Sequence, residues 1–191
     1  MAVDVDLPEV HARALDATHR FVAGVGEEQW AIPSINEEWT VRELVNHVVT
    51  GNYWAYELGG GKTIDEVGEV LDGDVLGTHP VQAYDDSALV AAAIFREDGA
   101  MDRPCAVSYG PVPGSVYCCH RFLDVLIHGW DVARSTGQDA TLDTGLVAAL
   151  WSLVEPQIDE LTATGAFGTV IEVPDDADLQ TRLLGVLGRK A

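Results

Sequence analysis

Asp124 and His128 have the residue types and the spacing to hold a metal ion together. Side chains four apart on a helix lie one turn from each other and can converge on one point. A carboxylate and an imidazole are a common donor pair for divalent cations. The stretch around them, Pro113 to Thr136, has the period of a helix. Cys118, Phe122, Val125, Leu126, Trp130 and Ala133 form an apolar face, flanked by Cys119, Leu123 and Ile127. The remaining stripe carries Tyr117, His120, Arg121, Asp124, His128, Asp131 and Ser135. Pro113 and Ser115 suit a first turn, and Gly137 stands where a C-cap glycine would. A polar stripe is usually a solvated face, but this one lacks the Lys, Glu and Gln that fill exposed helix surface. Its helix is apolar over more than half its circumference, so the stripe must be paired, hydrated or metal-bound. Metal ligation outweighs the solvated face, although the helix by itself does not decide. His120, one turn before Asp124, ranks lower: three ligands on successive turns span about 12 Å of axis.

The other histidines carry weaker signals. His47 lies beside an apolar face, a setting more typical of a hydrogen-bonded core residue than of a ligand. Gly51, one turn later, lacks side-chain bulk at a helix-propensity cost of about 1 kcal/mol and leaves room beside the imidazole. His11 and His19 are expected at the surface or rim, and His79, just before Pro80, is expected to do no chemistry.

Composition bounds the class. The chain has 191 residues, 47% of them hydrophobic, enough for a sizeable core. Its net charge of -20, from 31 acidic and 11 basic residues, argues against nucleic acid and anionic membranes. No apolar run reaches the roughly 20 residues of a membrane span. Met1 to Pro8 has no basic segment of the kind that opens a signal peptide. The three cysteines include the adjacent Cys118 and Cys119, which suit buried hydrophobes better than a disulfide framework. A reduced, cytoplasmic protein is the expectation.

The elements follow from period and punctuation. Helices are expected over Leu7 to Val25, Thr40 to Leu58, Pro80 to Glu97, Asp143 to Leu161 (with a kink at Pro156) and Asp178 to Leu187. Thr40 and Glu43 form a capping box at the second. The loop from Glu27 to Glu38, with Trp30, Pro33, Asn36 and Trp39 in or beside it, is expected to cover a core edge rather than a pocket mouth. Lys62 to His79 is a crossover with room for a short helix. Alternation at 105–109 and at Phe167 to Val173 suggests two short strands that pair. No phosphate loop, dinucleotide glycine motif, nucleophile elbow or paired-cysteine zinc signature occurs.

Three segments together resemble a known family. The run Glu-Trp-Thr-Val-Arg-Glu-Leu-Val-Asn-His ending at His47, Asp-Val-Leu-Ile-His-Gly-Trp-Asp from Asp124, and the closing Val-Pro-Asp-Asp-Ala-Asp are similar to the DinB-like metal-binding superfamily. The likeness is to its actinobacterial branch, which includes the N-terminal domain of mycothiol-dependent maleylpyruvate isomerase. The resemblance implies an all-α fold: a four-helix bundle with one or two additional C-terminal helices and a small β-hairpin. It implies a single domain over residues 1–191, the bundle core at about 6–137 and a C-terminal extension at about 141–191. It makes His47, Asp124 and His128 the metal ligands, Asp124 standing where the isomerase has Glu. The ion expected is divalent, zinc first and nickel as the alternative.

Three function classes follow. The first is a metal-dependent isomerase or transferase that uses a low-molecular-weight thiol, mycothiol being the implied one, on a small-molecule substrate. Such an enzyme needs a cation for the thiol's carboxylate, and Arg42, Arg121 and Arg134 are the candidates. The second is a metal-dependent hydrolase, with Asp131 or Glu43 as general base. The third is a metal-binding or sensor protein without turnover. Of these residues, Asp131 and Arg121 are the expected catalytic pair, and Arg42 and Arg134 the expected cofactor contacts. A homodimer is allowed for.

Overall fold

The computed structural model describes residues 5–35, 38–159, 169–174 and 176–191. The protein is mostly helical, with a small two-stranded antiparallel sheet. It forms two compact units, residues 6–141 and residues 142–191 together with Val5.

The first unit is a four-helix bundle of α1 (Leu7–Ala23), α2 (Val41–Gly59), α4 (Pro80–Ile94) and α5 (Gly114–Thr136). A single-turn helix, α3 (Ile64–Val67), lies in the crossover between α2 and α4. α5 packs against α1 and α2, and α4 closes the ring against the same two. Local chemistry sets the helix ends. Asp6 caps α1 by accepting from the Glu9 amide at 3.2 Å, with Pro8 in the first turn. Thr40 and Glu43 exchange bonds at the start of α2, Thr40 N donating to Glu43 Oε2 at 2.7 Å and Glu43 N to Thr40 Oγ1 at 3.2 Å. α5 ends on Gly137, whose φ of 72° is the left-handed cap expected of it.

Leu15, Phe21, Leu44, Val48, Tyr84, Phe122, Leu126 and Trp130 fill the bundle interior. α1 and α5 approach closely at Gly129. A Cβ there would meet the Thr18 side chain at 3.0 Å, and Thr18 Oγ1 donates to the Val125 carbonyl at 3.0 Å. This contact keeps the long α5 deep in the bundle, as its broad apolar face implied. Cys118 is fully buried and burial pushes its thiol far up, which suits an inert hydrophobe.

Two expectations are corrected here. The segment 105–109 does not pair with 167–173. β1 (Pro104–Val107) instead forms a hairpin with the adjacent β2 (Gly110–Pro113), in register Cys105 with Val112. Gly110, at φ 118°, lets the chain turn at once, and pairing with a neighbour closes a far shorter loop. Phe167 and residue 168 lie outside the described residues. In 169–173 no strand forms, and the Ile171 amide donates to the Gly185 carbonyl. The second correction is His11, expected at the surface but fully buried, its ring edge-on to Phe95 with centroids 5.2 Å apart. Residues 10, 11, 14, 15 and 18 are all buried, so α1 turns a wider face inward than its aliphatic spacing alone indicated. His19 does lie half-exposed, 2.6 Å from Asp85.

The second unit holds α6 (Thr144–Val154) and α7 (Leu179–Val186), capped by Asp143 and Asp178. Pro156 sits in a 3₁₀ turn, Glu155–Gln157, where the α-helical ladder of α6 gives way. Residues 160 and 161 of the expected helix lie outside the described residues. Leu146 and Leu150 of α6 and Leu183 and Leu184 of α7 are buried, and Arg182 lies over the Trp151 ring at 4.5 Å. Among the described residues no helix is long and apolar enough to cross a membrane.

Candidate metal centre

α2 and α5 bring His47, Asp124 and His128 together, with one donor atom from each residue all within 4.8 Å of one another. Asp124 Oδ1 is the common point, 3.2 Å from His47 Nε2 and 3.5 Å from His128 Nε2. The two imidazoles meet edge to face, centroids 4.9 Å apart. The i,i+4 geometry of α5 aligns Asp124 with His128, and the α2–α5 packing supplies His47 from the other side. Lone-helix spacing had the first pair but could not supply the third member.

Each donor is held from behind. Asp131 Oδ2 lies 2.9 Å from His128 Nδ1, so the ring donates Nδ1–H to a buried carboxylate and turns Nε2 to the site. Asp131, expected as a general base, therefore sits on the far side of His128 in a positioning geometry. Arg121, expected to face ligand, is buried and donates through Nη1 to Asp124 Oδ2 at 2.9 Å. Its Nη2 reaches Asn52 Oδ1 at 3.2 Å and the Val48 carbonyl at 3.4 Å. Burial works against charge on Asp124, but Arg121 and His128 outweigh it and hold the carboxyl well below its ordinary range. Burial likewise opposes charge on His128, yet Asp124 and Asp131 lift it to about 9.

Gly51 does not make room for a ligand beside His47; the space is Arg121's. A Cβ at Gly51 would lie 2.6 Å from the Arg121 Cζ. Arg42 donates to Asp74 Oδ2 at 2.8 Å and to the Gly77 carbonyl at 2.6 Å. Arg134 is exposed, its guanidinium 5.6 Å from the Trp130 ring centroid. Glu43 is engaged in the cap with Thr40. His120 stands outside the cluster, its Nδ1 2.7 Å from the Tyr109 hydroxyl.

Trp39 is the residue that sequence reasoning misplaced. Its ring lies 4.9 Å from His47 at a 30° tilt and 6.1 Å from His128, so it lines the site rather than a core edge. The loop folds back as a small strap: Ser34 N donates to Trp39 O at 2.7 Å, Val41 N to Ile32 O at 3.0 Å, and Ile35 N to Ser135 Oγ at 2.9 Å on α5. Trp39 stands immediately before the Thr40 cap, which fixes the direction of chain entry into α2. That adjacency was the available signal. Asn36, in the same loop, lies outside the described residues.

Comparison with known proteins identifies the family. The family model of the mycothiol maleylpyruvate isomerase N-terminal domain matches residues 11–133, the span holding all three donors. The chain belongs to that family. Two uncharacterised proteins of Mycobacterium tuberculosis, one from each of two strains, are each 37% identical over 151 residues, covering 77% of this chain and 79% of the relative. A crystal structure of a histidine-to-alanine mutant of the mycothiol-dependent maleylpyruvate isomerase superposes with a TM-score of 0.63 at 19% identity. That match spans 85% of this chain and 74% of the isomerase, and at this identity it is a likeness of fold.

Proposed function

We propose that the chain is a divalent-metal-dependent enzyme of the isomerase or transferase kind, using a low-molecular-weight thiol such as mycothiol on a small electrophile. The observation that carries this is the convergence of two imidazoles and one carboxylate oxygen from two helices, in a member of the mycothiol maleylpyruvate isomerase N-terminal domain family. The donor set fits a divalent ion. Two nitrogens and one oxygen suit zinc, with nickel as the alternative. Three protein donors leave a place for an outside ligand, and a buried carboxylate behind a ligating histidine is the usual support for such a centre. A divalent ion held there would favour the thiolate form of a thiol, its nucleophilic form.

The chain's own residues do the rest. Asp131 fixes the tautomer and plane of His128. Trp39 stacks obliquely on the His47 ring and lies tilted beside His128, giving the site one aromatic wall. Arg134, six residues past His128 and about 9 Å along the axis, is the proposed contact for the thiol's carboxylate. Arg42 ranks behind it because Asp74 and Gly77 already engage its guanidinium. Hydrolysis would need a free general base, and both candidates are engaged, Asp131 with His128 and Glu43 with Thr40. That favours the thiol reading.

A thermal-shift experiment tests it. A ligand at a hundredfold excess over its Kd stabilises by about 2.7 kcal/mol, roughly 5–10 °C for a chain of this size. Mycothiol should raise the melting temperature of zinc-loaded protein by that amount and leave chelator-treated protein unmoved. Zinc-loaded protein that ignores thiols but shifts with carboxylate or phosphate esters would overturn the proposal in favour of a hydrolase.

A further inference from the structure

We infer that Arg121 is a positioning residue that sets the charge of this centre, so that the ligand completed from outside is an anion. The inference rests on the metal-binding reading above and deepens it. Arg121 is buried on α5, and Asp124 is the carboxylate it pairs with among the described residues. It takes Asp124 Oδ2 at 2.9 Å, leaving Oδ1 to face both histidines. Asp124 is thereby presented as a one-oxygen donor. Its shorter arm needs this anchor, because the carboxylate stands only one methylene from the backbone.

The seat for Arg121 is built by α2. Gly51 supplies the space, since a Cβ would lie within 2.6 Å of Cζ and Nη2. Asn52 Oδ1 and the Val48 carbonyl accept from Nη2, and Asn52 is in turn held by Ser87 Oγ of α4 at 3.1 Å. Gly in mid-helix is unfavourable by about 1 kcal/mol relative to Ala, which a packing role explains.

The charge count gives the consequence. Asp124 and the Asp131 carboxylate behind His128 contribute −1 each, Arg121 +1 and ligating, neutral histidines nothing, so a divalent ion leaves the centre at +1. Without Arg121 it would be neutral. A buried cation bonded to one of the donor residues therefore raises affinity for an anion over a neutral ligand, on the order of tenfold. A thiolate is such an anion; water and a neutral thiol are not.

The test uses Co(II) as a visible probe, with thiocyanate and imidazole as anionic and neutral ligands for the open position. The full chain is compared with Arg121→Met, Arg121→Lys and Gly51→Ala. The last keeps the arginine and evicts it from its seat, at a position where Ala favours the helix. Failure of the parent to load Co(II) would sink the metal-binding proposal itself, before Arg121 enters. If the parent loads, thiocyanate affinity should fall about tenfold in Arg121→Met and Gly51→Ala, stay within a few-fold in Arg121→Lys, and imidazole affinity should hold in all. Unchanged thiocyanate affinity in both former variants would overturn the inference. A folded Arg121→Met that no longer loads Co(II) would also overturn the charge-setting role, since it would leave Arg121 only the anchoring of Asp124.

Discussion

Replacing His11 with leucine should remove a defined part of the protein's acid sensitivity. The imidazole is fully buried in the bundle, edge-on to Phe95, and neither ring nitrogen has a hydrogen-bond partner. Burial, then the positive charges of Arg121 and Arg96, push its pKa down from 6.5 to about 3. In the unfolded chain it returns to about 6.5. The folded pKa is depressed for a base, so the unfolded state binds the extra proton first. Stability from this group is intact above about pH 6.5 and is lost as pH falls toward 3. Between pH 7 and pH 5 the loss amounts to about 2 kcal/mol. Urea unfolding of chelator-treated parent and His11→Leu at the two pH values reads it, as a difference of about 1 M between their midpoint shifts, since His128 titrates alike in both. His11→Leu gives up an aromatic edge contact of about 1 kcal/mol, but also the desolvation of two unpaired nitrogens, about 1–3 kcal/mol. It should therefore match or exceed the parent at pH 7, and its advantage should grow by about 2 kcal/mol at pH 5. An identical pH dependence in parent and variant would refute a neutral, buried His11.

Asp131→Asn should keep the fold and weaken zinc affinity by about 10- to 100-fold, as loss of a support behind a ligating histidine does; competition with a chromophoric chelator measures it. Asp124→Asn should lower the stability of ion-free protein by about 2 kcal/mol, because it strips a buried Arg121 of its counter-charge, whereas Asp124→Glu keeps the charge; denaturant midpoints separate the two. Trp39 lies against both imidazoles, so zinc should change the protein's tryptophan fluorescence, and Trp39→Leu should remove most of that change while the ion still binds.

Much of this was legible in the sequence, for physical reasons that differ by residue. Helix periods and ends depend on near neighbours: the Thr40–Glu43 box and the Gly137 cap are local chemistry, and both occur where their spacing places them. Asp124 and His128 were readable because one helical turn aligns them. What failed to show was whatever depended on which helix faces which. Gly51 advertised a space without saying that Arg121, 70 positions later, fills it. Asp131 had a base's chemistry, but only the rotation of α5 reveals that it backs His128. His11 looked like a rim residue because a histidine on an apolar helix face gives no sign of whether α4 and α5 cover it. The loop holding Trp39 carried no periodicity, so its return onto the histidines was visible only once its backbone bonds to the start of α2 and to Ser135 were in place.

Elemental analysis of the purified chain and three variants tests the centre most directly. The parent and His120→Ala should each carry about one divalent ion per chain, since His120 bonds to Tyr109 outside the cluster. His47→Ala and His128→Ala should each lose it, because two donors hold a zinc-like ion far more weakly than three. Retention of a full equivalent in both His47→Ala and His128→Ala would contradict a site built from these two helices.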